Sequence, residues 1–288
     1  MKPAPFTYHD PGTVDEVVAL LAQHEDAKVL AGGQSLMPML NMRFVVPDDV
    51  IDLNGVAGLS GISDDGSALA IGAMTRQREL LADATVAARC PVVAEALNFV
   101  GHFQTRSRGT IGGSLCHLDP AAELPTIAAL YDAVLTAAGP GGTRDIPFSE
   151  WPLAYMMSTL APDEILTGVR LPYWQQPHGH AFVEFARRHG DFAIIGVGVL
   201  LAVSGGKITR AAIAVGGADV RPIRLAAAEQ ALVGETPGDA AFKAAAAEAR
   251  AIDAMSDAYV STQYRQRLAG VLVERALAQA AARAGEGA

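Results

Sequence analysis

Two similar short elements built around adjacent glycines constrain this chain more than any other feature. They are the segments Ala31–Ser35 (AGGQS) and Thr110–Ser114 (TIGGS). In each, a Gly-Gly pair is preceded by an apolar residue and followed closely by a residue with a hydroxyl group. Adjacent glycines permit positive φ angles and let backbone amides approach a ligand with no Cβ in the way. Such loops can form concave sets of amide donors for anionic oxygens, and two of them could hold a pyrophosphate from two sides.

Each glycine element taken alone is also compatible with an ordinary turn. The sequence contains 29 glycines, and short glycine patterns are common in turns. Neither element is a Walker motif, because no Gly-Lys-Ser/Thr follows it. Neither is the Gly-x-Gly-x-x-Gly fingerprint of dinucleotide-binding sheets. A nucleotide site built from these loops therefore requires a different scaffold, and the residues alone leave open a binding or scaffold protein with a degenerate site.

Charge and cysteine content exclude several classes of function. The formal net charge of -9 disfavours nucleic acid as a partner. Cys90 and Cys116 are the two cysteines, too few for a disulfide framework or a four-cysteine iron–sulfur site. The polar N-terminal segment and the short apolar run 193–203 predict no signal peptide and no integral membrane segment. We therefore expect a soluble cytoplasmic protein.

Short apolar runs separated by turn residues predict an α+β fold rather than a long βαβ series. Thr13-Val14-Asp15-Glu16 fits a capping box at the start of a helix. The segment 109–113 is interpreted as a glycine-rich turn, and 151–176 shows no clean periodicity. The predicted strands lie at 28–31, 50–53, 62, 68–71, 134–137, 143–146, 182–187, 193–203 and 207–215. The predicted helices lie at 75–82, 92–100, 121–130 and within 226–282.

The glycine elements carry a resemblance when taken together with Ile51-Asp52-Leu53 and Asp119-Pro120. In this order they resemble the flavin subunit of the molybdenum hydroxylases, a family that includes the medium subunit of carbon monoxide dehydrogenase and the FAD domain of xanthine dehydrogenase. The resemblance extends through 187–193 and 216–224. It implies a vanillyl-alcohol-oxidase/PCMH-type FAD-binding domain over 1–176, followed by a smaller α+β C-terminal domain over 177–288.

The same resemblance implies which residues surround the cofactor. The amides of the two glycine elements would enclose the FAD pyrophosphate, and Phe192 would cover the isoalloxazine ring. Ser114 stands where asparagine is frequent in the family, and Glu123 stands where aspartate is frequent. The implied cofactor-binding residues are Ala31, Gly32, Gly33, Gln34, Ser35, Leu36, Thr110, Ile111, Gly112, Gly113, Ser114, Asp119, Glu123 and Phe192. No residue of this chain is expected to be catalytic or to bind a metal.

The function implied by the resemblance is electron transfer. FAD, held non-covalently, would pass electrons from [2Fe–2S] clusters in a small partner subunit to an external acceptor. Substrate would be oxidised at a molybdenum cofactor in a large partner subunit, and two heterotrimers would form a heterohexamer. The alternative is a self-sufficient flavoprotein oxidoreductase that oxidises substrate at its own FAD. That alternative requires a base in this chain, and the sequence shows no convincing one.

For Cys116, His117 and His102, which lie near the second glycine element, the sequence favours structural roles. Cys116 and His117 are adjacent but lack a third ligand, which favours a packing role over a metal site. His102 lies between a predicted helix and a loop, which favours a solvated or capping histidine over a catalytic base.

Overall fold

The computed structural model of the chain describes residues 1–174 and 177–285. Within them the strands are β1 Thr7–His9, β2 Lys28–Leu30, β3 Asp49–Asp52, β4 Ile62–Asp64, β5 Ala68–Gly72, β6 Val134–Gly139, β7 Gly142–Pro147, β8 Pro152–Ala154, β9 Met157–Ser158, β10 Ile165–Pro172, β11 Gly179–Ala186, β12 Ala193–Ser204, β13 Lys207–Gly216 and β14 Ile223–Arg224. The helices are α1 Val14–Gln23, α2 Leu36–Asn41, α3 Gln77–Ala82, α4 Ala84–Arg89, α5 Pro91–Leu97, α6 Phe103–Arg108, α7 Ile111–His117, α8 Glu123–Leu130, α9 Ala226–Leu232, α10 Asp239–Arg250 and α11 Thr262–Gly285, with a 3-10 turn at Phe148–Glu150. None of these helices is both long and apolar enough to cross a membrane.

The N-terminal part of the chain forms a three-stranded parallel sheet in the order β1-β3-β2. Helix α1 packs on it, with Val17 buried against Ile51 in one apolar cluster. The predicted capping box is confirmed: the Thr13 hydroxyl accepts from the Glu16 amide, and the Glu16 carboxylate accepts from the Thr13 amide, both at 3.2 Å. The first glycine element follows the end of β2.

A five-stranded antiparallel sheet in the order β4-β5-β10-β6-β7 forms the next layer. Its central strand β10 lies in the segment 151–176, whose lack of clean periodicity gave no prediction of a strand. The alternation of β10 is broken by a bulge between Leu166 and Gly168. Pairing with β5 on one side and β6 on the other holds it as a strand. A short hairpin of β8 and β9 precedes it.

Helix α8 lies at the centre of the molecule. Every residue from Glu123 to Leu130 is buried, as expected for a helix that is apolar all round. It shares a core with Leu135 of the five-stranded sheet and Leu200 of the C-terminal sheet. Gly216 permits this close packing, because a Cβ there would overlap the Thr126 hydroxyl.

The C-terminal part is a four-stranded antiparallel sheet in the order β11-β12-β13-β14, covered on one face by α9, α10 and α11. Arg224 on β14 links it to the rest of the chain: its guanidinium donates to the Ala129 carbonyl at 2.8 Å and pairs with Asp132 at 2.6 Å. The α+β class is confirmed. The boundary placed at 176 falls outside the described residues, so the division into 1–176 and 177–288 stays a prediction.

Candidate cofactor-binding site

A cavity of about 720 Å³ lies where the two glycine elements, the start of α8 and the loop 190–192 meet. Its volume is within the usual range for small-molecule sites. All of the predicted cofactor-binding residues except Ile111 line it. Ile111 is buried. The tertiary structure therefore brings residues from distant parts of the chain to one site.

The first glycine element presents unused hydrogen-bond donors to this cavity. Within the described part of the chain, the amides of Gly32, Gly33, Gln34 and Ser35 donate to no protein acceptor. Gly33 has a φ of 74°, the left-handed region that favours glycine. Gly32 is buried and Gly33 half-buried, whereas Gln34 and Ser35 are exposed. A run of neighbouring amides without protein acceptors at a cavity is suited to bind anionic oxygens of a ligand.

The second glycine element is the first turn of helix α7, and the predicted turn at 109–113 was wrong. Thr110 caps the helix, because its hydroxyl accepts from the Gly113 amide at 3.0 Å. The Gly112 amide donates to the Ala73 carbonyl at 2.8 Å. A Cβ on Gly112 would overlap Ala73. The glycine here serves close packing of the helix against Ala73, the residue that follows β5, rather than a turn.

The amides of this helix start differ from those of the first element. Those of Ile111, Gly112, Gly113 and Ser114 all have protein acceptors: the Thr75 and Ala73 carbonyls, the Thr110 hydroxyl and the Thr110 carbonyl. What α7 offers the cavity is the side chains of Thr110 and Ser114. A role of 110–114 in holding a cofactor stays a prediction.

Two polar side chains that sequence reasoning missed hold the glycine elements in place. The Asn54 amide donates to the Ala31 carbonyl at 3.0 Å. The Arg76 guanidinium donates both to the Asn54 side chain and to the Arg108 carbonyl. Asn54 directly follows the Ile51-Asp52-Leu53 motif, and this position could have indicated its role. No feature of the sequence marks Arg76 as a residue that supports the glycine elements.

Among the carboxyl groups that line the cavity, the pKa of Glu164 is lowered by its hydrogen bond with Arg144, whereas the pKa of Glu123 is raised. Burial raises the pKa of Glu123 to about 7, with a further contribution from the charge of Asp119. Glu184 on β11 lies near enough to interact with it. Burial, together with repulsion by Glu123, raises the pKa of Glu184 to about 8. The Asp119 carboxylate accepts from the Ala121 amide at 2.9 Å, which orders the turn before α8.

The other cavity residues favour binding over nucleophilic chemistry. Burial raises the pKa of the Cys116 thiol to about 12 and lowers the pKa of His117. At neutral pH the thiol is therefore protonated and unreactive. Phe192 borders the cavity with 71% of its surface exposed. The loop that carries it contains Gly190, which lies against the His102 ring.

Family models match nearly the whole chain. Residues 4–174 match the FAD binding domain in molybdopterin dehydrogenase. Residues 180–280 match the CO dehydrogenase flavoprotein C-terminal domain. The resemblance inferred from the glycine elements is confirmed, and so is FAD as the cofactor of the N-terminal part.

Individual relatives are similar to this chain along nearly their full length. The chain is 41% identical over 289 residues to the 6-hydroxypseudooxynicotine dehydrogenase complex subunit alpha of Paenarthrobacter nicotinovorans, covering 99% of this chain and 97% of that protein. It is 37% identical over 285 residues to the carbon monoxide dehydrogenase medium chain of Hydrogenophaga pseudoflava, covering 98% and 99%. A solved structure of carbon monoxide dehydrogenase from Hydrogenophaga pseudoflava superposes with a TM-score of 0.95 at 38% identity, covering 98% of this chain and 99% of that chain. The chain therefore belongs to the FAD-binding medium subunits of the carbon monoxide dehydrogenase-like molybdenum hydroxylases, a family of oxidoreductase subunits.

Proposed function

We propose that this chain holds FAD non-covalently in the 720 Å³ cavity and serves as the electron outlet of a heterotrimeric molybdenum hydroxylase. The observation that carries the proposal is the set of unpartnered amides from Gly32 to Ser35 at the cavity wall. When bound, FAD supplies reversible uptake of electrons and their delivery to an external acceptor. The chain itself binds FAD, orients it and shields it from solvent.

The residues present fit a dinucleotide of this kind. Four amide donors from one loop suit a pyrophosphate, which carries several anionic oxygens. Gln77 adds a buried side-chain oxygen at the cavity that has no hydrogen-bond partner among the described residues. Asn54 and Arg76 keep the loop in place without touching the ligand.

The partners proposed here follow from the family. The relatives' names describe a complex subunit and a medium chain. We infer an iron–sulfur small subunit that carries the [2Fe–2S] clusters and a large subunit that carries the molybdenum cofactor. Two heterotrimers would then form a heterohexamer in the cytoplasm. Substrate choice belongs to the large subunit.

A second candidate is a self-sufficient flavoprotein oxidoreductase. Glu123 favours it, because a cavity carboxyl group with a pKa of about 7 is suited to act as a general base. The two candidates make opposite predictions for the isolated chain. Only the self-sufficient enzyme oxidises a substrate without the other subunits.

The experiment that tests the proposal begins with the absorption spectrum of the purified chain before and after acid precipitation. Flavin bands that move to the supernatant support non-covalent FAD. A colourless chain that also fails to bind added FAD contradicts the proposal. Metal analysis of the natively purified protein then separates the candidates, since iron and molybdenum in a larger complex support the electron outlet. A lone yellow protein with substrate turnover supports the alternative.

A further inference from the structure

Three side chains with metal-binding atoms converge on the N-terminal sheet, away from the cofactor cavity. His9 ends β1, His24 follows α1, and Asp49 begins β3. One ligand atom from each lies within 4.8 Å of the others. The Asp49 carboxylate is 2.7 Å from His9 Nε2 and 3.1 Å from His24 Nδ1. No sequence pattern predicted this cluster, because its members come from three separate elements.

Backbone hydrogen bonds fix the positions of all three residues. Parallel pairing of β1 with β3 places Thr7 beside Asp49, and the Thr7 amide donates to the Asp48 carbonyl at 2.8 Å. The His24 amide donates to the Leu20 carbonyl at 3.0 Å, and its own carbonyl accepts from Ala27 at 3.1 Å. The cluster is therefore held by secondary structure rather than by a loose loop.

The donor set has a defined preference among cations. Two imidazole nitrogens and one carboxylate suit zinc, nickel, cobalt, copper or iron, whereas magnesium and calcium prefer oxygen ligands alone. Ligand atoms on a tetrahedral cation with bonds of about 2.0–2.1 Å lie about 3.3 Å apart. The two Asp49 contacts use different oxygens, Oδ1 at 2.7 Å from His9 Nε2 and Oδ2 at 3.1 Å from His24 Nδ1. Because one ligand atom from each residue lies within 4.8 Å of the others, side-chain rotation brings the three to the spacing of a shared cation.

The cluster is protected but accessible from solvent. The exposed fractions of the side chains of His9, Asp49 and His24 are 19%, 14% and 31%. Exposed acidic residues flank two of the ligands in sequence: Glu25 and Asp26 after His24, and Asp48 before Asp49. Their negative charge favours the approach of cations.

We propose that His9, His24 and Asp49 bind one divalent transition-metal cation of the zinc type. The cation joins the end of α1 to β1 and β3, and water completes its coordination. None of the three residues lines the cofactor cavity. The role of the cation is therefore to stabilise the N-terminal layer.

The test uses the full-length untagged chain, stripped of metal with a chelator. Titration with Co²⁺ should give visible absorption bands of a nitrogen-coordinated ion at one equivalent. Zn²⁺ should bind by calorimetry with a Kd on the order of micromolar or tighter and raise the melting temperature by several degrees. His24→Ala and Asp49→Asn should each weaken Zn²⁺ binding at least tenfold. His189→Ala, which removes an exposed histidine elsewhere, should leave binding unchanged.

Three results would overturn the proposal. One is the absence of Co²⁺ bands and of Zn²⁺ heat with the natural sequence, a measurement that needs no variant. Another is equal Zn²⁺ affinity in the natural chain and in Asp49→Asn, which keeps the side-chain size. The third is a melting temperature that falls by the same amount in the variants with and without Zn²⁺. That result would show a hydrogen-bonded His–Asp–His network only.

Discussion

Gly32 and Arg108 pack backbone against backbone: a Cβ on Gly32 would overlap the Arg108 carbonyl oxygen. The Arg108 carbonyl also accepts from the Arg76 guanidinium. Arg76 reaches the first glycine element through Asn54. The two glycine elements are thus parts of one wall of the cavity, and the first remains open to a ligand because Gly32 has no side chain.

Gly32→Ala should therefore weaken FAD binding at least tenfold. The added methyl group forces the loop away from residues 108–109 and moves the free amides of Gly33 to Ser35 from their positions. The check is a titration followed by the change in flavin fluorescence. Gly141→Ala is the matched control, since a Cβ at Gly141 meets nothing within 4 Å. Unchanged affinity in Gly32→Ala would contradict the role of this loop.

Glu123→Gln should make stability less dependent on pH. Burial raises the pKa of Glu123 from 4.5 to about 7 in the folded chain. Between these values the unfolded chain has lost its proton and the folded chain retains it, so stability falls as the pH rises and remains lower above pH 7. Glutamine has no proton to lose. Relative to the natural chain, the variant should gain about 2 kcal/mol of unfolding free energy between pH 5 and pH 8.

Urea unfolding of the FAD-free protein at the two pH values measures this gain. The control is Glu150→Gln, at an exposed position. Its free energy of unfolding should change with pH as that of the natural chain does. If the unfolding free energy of Glu123→Gln changes with pH in the same way as that of the natural chain, Glu123 is ionised in the folded protein throughout this range.

Arg224→Leu should destabilise the contact between the C-terminal sheet and α8 by about 2 kcal/mol. It removes the ion pair with Asp132 and leaves Glu229, whose side chain is 14% exposed, with the Ile213 amide but without a positive charge to balance it. The measurement is the free energy of unfolding in urea. Arg221→Leu serves as the control, because Arg221 is exposed and forms no ion pair within the described part of the chain. Equal losses in both variants would argue against a specific role of the Arg224 pairs.

Phe192→Ala should leave stability within about 0.5 kcal/mol of the natural chain, because the ring is largely exposed. With FAD bound, it should change the flavin spectrum and increase the rate of reaction with external acceptors several-fold, since an aromatic ring stacked on a flavin restricts access. Stopped-flow reoxidation measures the rate. Phe103→Ala removes another ring that is 67% exposed but does not line the cavity. If the Phe192 and Phe103 variants react alike, Phe192 does not cover the flavin.

Much of the site was predictable from the sequence, but through resemblance to a family rather than through spacing. Spacing alone identified two glycine pairs and favoured an ordinary turn for each taken by itself, with a nucleotide site as the alternative. It could not show that the Gly112 amide is already bonded to Ala73 while that of Gly32 has no partner. That difference depends on the segment just after β5, which contains Ala73 and whose sequence does not indicate which amides it will bind.

The sequence by itself determined the features that depend on near neighbours in the chain: the capping box of Thr13 and Glu16 and the presence of two Gly-Gly elements. The tertiary structure decided what depends on partners from distant segments. It made Ile111–His117 a helix, held Ile165–Pro172 as a central strand by pairing on both sides, and placed His9, His24 and Asp49 together. Local hydrogen bonds can be inferred from adjacent residues, whereas pairing and burial require the whole chain to be in place.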